Sequence, residues 1–153
     1  KPQSIRDEQD DRLAICVLLC LLAAHPDLGE EVGEGFARIE IADSGLDALR
    51  QTLLARTADP QPTRSCLTVP EADGLPPALV DRIRRKWPFT RPEAPVEEAR
   101  AGWAMVMGHL ELRALRREFA DAARDMARLG TEAALERWRG LRQEIERRTM
   151  SAA

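Results

Sequence analysis

Apolar residues recur along this chain at helical spacing, and between residues 95 and 148 they change sides partway. Trp103, Val106, Met107, Leu110 and Ala114 fall on one narrow face at about 100° per residue. Leu112, Leu115, Phe119, Ala122, Met126 and Leu129 form a second stripe, well round toward the opposite side. One continuous helix over 95–129 with two apolar faces has to meet two packing partners. Gly130-Thr131 predicts a left-handed helix stop followed by an N-cap. The stripe after it, Ala134, Trp138, Leu141 and Ile145, steps again by four and three. The last helix can therefore double back and zip against the 112–129 face as an antiparallel pair.

The earlier chain reads as shorter helices. The first starts near Ile5 or Arg6, where early carboxylates suit the positive end of the helix dipole, and ends at His25-Pro26. Leu13, Ile15, Val17, Leu18, Leu19, Leu21 and Leu22 point in nearly every direction, which predicts a central helix surrounded by others. Residues 27–39 read as a second helix weakened by Gly29, Gly33 and Gly35. Ser44 with Asp47 three residues on has the form of a capping box, opening a third helix through Arg56 with Leu46, Leu49, Leu53 and Leu54 inward. Pro60 and Pro62 break the chain, and 66–69 is extended or loop. Pro76-Pro77 begins a helix through Lys86 that Trp87-Pro88-Phe89 stops, and Pro95 stands where a first helical residue tolerates proline.

These elements predict an all-α chain: an N-terminal helical bundle, residues 5–110, joined by the long helix 95–129 to a C-terminal antiparallel helical hairpin, residues 111–149. Composition agrees, with 44% hydrophobic, 32% charged and only 4% aromatic residues and little β-branched alternation. Net charge is −3, but residues 1–80 carry 7 basic and 14 acidic side chains and residues 81–153 carry 16 and 12. Such a gradient can orient a partner. It is too mixed in sign for the clustered basic face that tight nucleic-acid binding needs.

Cys16, Cys20 and Cys66 are an odd count without a disulfide framework, which predicts a reducing, cytoplasmic setting. The apolar run 13–24 is shorter than the roughly 18–20 residues of a membrane span and follows carboxylates, so neither a membrane segment nor an export signal is expected. The chain opens on Lys1 rather than Met, as expected of a piece of a longer protein.

Little in the sequence suggests catalysis. Cys16 and Cys20 with His25 lack a fourth ligand and read as small core residues, so no metal is expected. His109 has no partner pattern. Phosphate-loop, nucleophile-elbow, zinc-protease and dinucleotide motifs are absent, and no cofactor is expected. Arg82, Arg84, Arg85 and Lys86 form the densest basic run, beside Trp87. They read as a solvated helix face, with binding of phosphate or an acidic peptide tail as the functional alternative. Trp138 is either hairpin packing or an anchor for a partner, because a two-helix hairpin leaves much apolar surface open.

Three stretches together resemble the C-terminal region of bacterial DnaG-type primases. Residues 18–28, ending His25-Pro26-Asp27-Leu28, are similar to an apolar helix closing in His-Pro-Glu-Leu that occurs there and in the N-terminal domain of the replicative helicase. Trp87-Pro88-Phe89-Thr90-Arg91-Pro92 through Ala101-Gly102-Trp103 resembles the connector of the alphaproteobacterial members. Leu135-Glu136-Arg137-Trp138 with Leu141 and Gln143-Glu144-Ile145 resembles the family's last helix. Asp27 and Ile145 stand where the family forms have Glu and Leu, and residues 57–76 match nothing in the pattern.

The resemblance implies a helicase-binding domain. Its hairpin would be the main contact to a hexameric DnaB-type helicase, and its first bundle would help stimulate that helicase. Met126, Leu129, Leu135, Trp138, Leu141 and Ile145 are the candidate hairpin core or apolar contacts, and Arg137, Arg142 and Gln143 the candidate polar ones. Some relatives bind the acidic tail of single-strand-binding protein through a basic pocket, for which Arg82, Arg84, Arg85 and Lys86 are the candidates here. The family's zinc-binding and polymerase domains are absent, so no enzyme activity is expected of this chain. Two other readings stand beside this one: a nucleic-acid-binding helical module using residues 82–86, and a helicase N-terminal domain itself.

Overall fold

The computed structural model describes residues 2–58 and 74–151. The chain is all-helical, with no strand among the described residues. Its α-helices are α1 (Pro2–Ala24), α2 (Gly29–Ala37), α3 (Ser44–Ala58), α4 (Pro77–Lys86), α5 (Val96–Leu129) and α6 (Glu132–Ser151). Single 3₁₀ turns span Pro26–Leu28 and Pro88–Thr90. The stretch 66–69, with Cys66, lies outside the described residues. The chain divides into two compact units, Lys1–Val106 and Met107–Ala153.

In the first unit α1 is central. Every residue from Ile15 to Ala23 is buried, because an apolar surface running all round a helix can leave water only if neighbours cover each side. Those neighbours include α3, α4 and both 3₁₀ turns, while α2 packs on α3. Leu46, Leu49 and Leu53 supply the buried face of α3, and Val80 and Ile83 that of α4. From α5, Ala99, Trp103 and Val106 are buried, and Trp103 meets Phe36 of α2 edge-on with ring centroids 5.1 Å apart. Gly102 is required here. A Cβ at this position would lie 2.4 Å from the Phe89 ring, so only a bare backbone lets the Pro88–Thr90 turn approach α5.

Helix ends differ in detail from the sequence expectation. The first helix begins at Pro2 rather than Ile5 or Arg6, as proline is tolerated in a first turn. Residues 27–39 divide into the 3₁₀ turn and α2, which ends at Ala37. The cap of α3 is Asp43, not Ser44. Its Oδ1 accepts from the backbone N–H of Gly45 at 2.9 Å and of Leu46 at 3.2 Å. Asp47, instead of reaching back to close a capping box, pairs with Arg50 and Gln51. Arg50 itself is nearly buried, and its guanidinium donates to the carbonyls of Phe36 and Ile39 where α2 ends. It thereby satisfies acceptors that the end of a helix leaves open.

The second unit holds the end of α5 and all of α6. Gly130 adopts φ +59°, and its N–H bonds the Met126 carbonyl at 3.0 Å, the left-handed stop expected there. Thr131 Oγ1 accepts from the Ala134 N–H at 3.3 Å, capping α6. Contacts pair residue 137 with 125, 138 with 119 and 148 with 111, so sequence separation rises as α6 proceeds.

Asp43→Ala should lower unfolding free energy by about 1 kcal/mol, the usual worth of an N-cap, with Ser44→Ala near neutral in the same urea titration. Gly102→Ala should cost about 1–3 kcal/mol through overpacking. Gly140→Ala in α6, where a Cβ meets nothing within 4 Å, should stabilise by up to about 1 kcal/mol.

Candidate partner-binding surface

The sequence-nominated residues of the second unit come together along the α5–α6 pair. Met126 on α5 and Leu135, Trp138, Leu141 and Ile145 on α6 are all half-buried. No residue of α6 is fully buried, and Leu129 at the end of α5 is 56% exposed. Trp138 stacks on Phe119 with ring centroids 5.7 Å apart and planes at 27°. Arg142 lies over the Trp138 ring at 5.7 Å and pairs with Glu146 at 3.1 Å. The indole is therefore engaged within the helix pair, and its half-exposure leaves an edge to solvent.

Of the polar nominees, Arg137 is exposed and forms an ion pair with Asp125 at 3.2 Å, while Gln143 is exposed. A residue outside the nominated set does as much for the pair: Arg148 donates to Glu111 at 2.9 Å and to Glu144 at 2.8 Å. Arg148 and Arg147, both hydrogen-bonded to Glu144, hold its carboxyl below the ordinary range. Nothing in the local sequence pairs Glu111 with a residue 37 positions on, so that contact becomes visible only with the helices in place.

The basic run of α4 does not present four charges on one surface. Arg82, Arg85 and Lys86 are exposed, with Lys86 over the Trp87 ring at 4.8 Å. Arg84 is half-buried, and its Nε is buried without a hydrogen-bond partner. At helical spacing Arg84 lies well off the side shared by Arg82 and Lys86. Its carbonyl accepts from Arg91 Nε at 2.8 Å, and the Arg91 carbonyl in turn accepts from His25 Nε2 at 2.9 Å. His25 is buried, and the bond from its Nε2 to that carbonyl ties the end of α1 to the connector before α5.

Cys16 and Cys20 are buried along α1, and no cluster of three or more metal-ligating side chains occurs among the described residues. Burial raises the Cys16 thiol. It pushes Cys20 from 9.0 to about 11, with Cys16 adding to the rise and Arg84 opposing it. A shallow pocket lined by Leu49, Leu53 and Arg56 of α3 and by Gly74 holds no titratable cluster. Among the described residues no single helix is long and apolar enough to cross a membrane. No family model matches the chain, and no curated protein or solved structure matches it either.

A thiol raised in the fold contributes stability that is fully present below its unfolded pKa and is lost as pH climbs through the folded one. The urea midpoint should therefore fall between pH 9 and pH 11, and fall less steeply in Cys20→Ala. With no Tyr and two Lys in the chain, the background titration over that window is small.

Proposed function

We propose that this chain is a protein-interaction domain of a bacterial DnaG-type primase. It binds the N-terminal domains of the hexameric DnaB-type replicative helicase, bringing primase to the replication fork and modulating the helicase. In this reading residues 5–110 form a helical bundle and residues 111–149 a helical hairpin, the two sharing α5, with the hairpin as the docking element. The domain performs no chemistry of its own and works in the cytoplasm beside a catalytic domain of the parent protein.

The reading rests on the resemblance of residues 18–28, 87–103 and 135–145 to that region. The observation that favours a docking role is the exposure of α6, whose apolar stripe of Leu135, Trp138, Leu141 and Ile145 is left half-open with no residue fully buried. Half-open apolar stripes on helices are what protein partners cover.

Calorimetric titration of the domain into the helicase hexamer tests it. Leu129→Glu, a change at a site already 56% exposed, should keep the circular dichroism of the fold. It should weaken binding by about tenfold or more, the loss of one interface anchor. Absence of any binding by the unaltered domain would sink the assignment.

A further inference from the structure

The two long edges of the α5–α6 pair differ in chemistry. One is closed by ion pairs between the helices, Asp125 with Arg137 and Glu111 with Arg148. The other is open. There Phe119 of α5 stacks on Trp138 of α6, both half-buried, and the half-buried Leu112 and Leu135 lie on the same side of their helices toward opposite ends of the pair. Helical spacing places Arg116 between Leu112 and Phe119, and Arg139 one turn beyond Leu135. Both arginines are exposed and, among the described residues, make no ion pair or hydrogen bond. Glu146, on the α6 side of this edge, is engaged by Arg142 at 3.1 Å.

An apolar seam with an unneutralised cation on each helix is complementary to one kind of surface. We propose that the Arg116–Arg139 edge is the docking groove for an acidic amphipathic helix of the partner, its apolar anchors seated on the Phe119–Trp138 seam and its carboxylates on the two arginines. This deepens the proposed function and rests on the second unit being the part that meets the partner. The pairing of like to unlike charge at the rim sets orientation and rate of encounter, and the seam supplies the area. A single-stranded nucleic acid fits less well. Phe119 and Trp138 spend one face each on the other, and Arg142 lies over the Trp138 ring, so two stacked aromatic platforms for successive bases are not on offer.

The test compares the whole unaltered chain with the double variant Arg116→Glu/Arg139→Glu and with a charge-matched control, Arg6→Glu/Arg56→Glu, at two exposed arginines of the first unit. Each is titrated with three probes: the helicase hexamer, a designed helical peptide with leucine anchors flanked by glutamates, and an oligothymidylate. Binding of hexamer and peptide should drop at least tenfold in the double variant and hold in the control, with circular dichroism unchanged. Affinity of the unaltered chain should fall as salt rises. If the hexamer binds the double variant as well as the unaltered chain, the groove is wrong while the helicase reading stands. If the peptide binds in the expected pattern and the hexamer does not bind at all, the groove stands and the helicase reading fails. Oligothymidylate binding lost in the double variant, without peptide binding, would overturn the proposal in favour of nucleic acid.

Discussion

A helix that is apolar on every side cannot be buried by one neighbour, and the first unit follows from that constraint. Leu18, Leu19, Cys20 and Leu21 have no exposure at all, although they point in directions about 100° apart. Covering them needs elements on several sides at once, and α3, α4 and the two 3₁₀ turns take those places. Each fully buried leucine is worth about 1.5–3 kcal/mol relative to an exposed one, far more than any exposed ion pair in the molecule. The lengths and ends of the surrounding helices are best understood as what allows that cover to close.

Closing it brings polar groups inside, and each is handled locally. Arg50 sits almost buried yet gives its donors to the Phe36 and Ile39 carbonyls and to Asp47. Thr90, fully buried, returns its hydroxyl proton to the Trp87 carbonyl at 2.7 Å. His25 Nε2 bonds the Arg91 carbonyl. A buried donor left unpaired costs about 1–3 kcal/mol, so these bonds are what make a tight cover tolerable. Arg84 Nε is the exception among the described residues, and the Arg84 charge opposes part of the rise that burial gives the Cys20 thiol.

Periodicity made the all-helical class, the central helix and the Gly130-Thr131 break legible, because each depends on residues three or four apart. Phe119 and Trp138 could likewise be placed on facing stripes before their stacking was seen. What stayed hidden depends on a choice between neighbours or on long-range pairing. Asp43 and Ser44 are both good N-caps in sequence, and only the backbone direction entering α3 selects the aspartate. The 82–86 run looks uniformly solvated until α4 is rotated into place, whereupon Arg84 turns inward and three charges remain outside. For Arg50 the sequence offers only the Asp47 carboxylate three residues back, because its carbonyl partners lie 11 and 14 residues away at the end of another helix.

The two units answer the same need with different means. In the first, apolar surface is removed from water by surrounding it; in the second, α6 packs along α5 and ends with no residue fully buried. Ion pairs along α6, among them Arg148 with both Glu111 and Glu144, add little in water, so they do not explain why so much apolar area is kept half-open. A seam of that kind is costly to maintain unless something covers it for part of the protein's working life. If the proposed partner is what covers it, the uneven charge of its two edges does more than tune affinity. One edge has its anions and cations already matched across the helices, and an incoming charged helix would have to break those pairs before gaining any. The other edge offers Arg116 and Arg139 without such a competitor, so approach from that side is the direction in which binding adds interactions without first removing them.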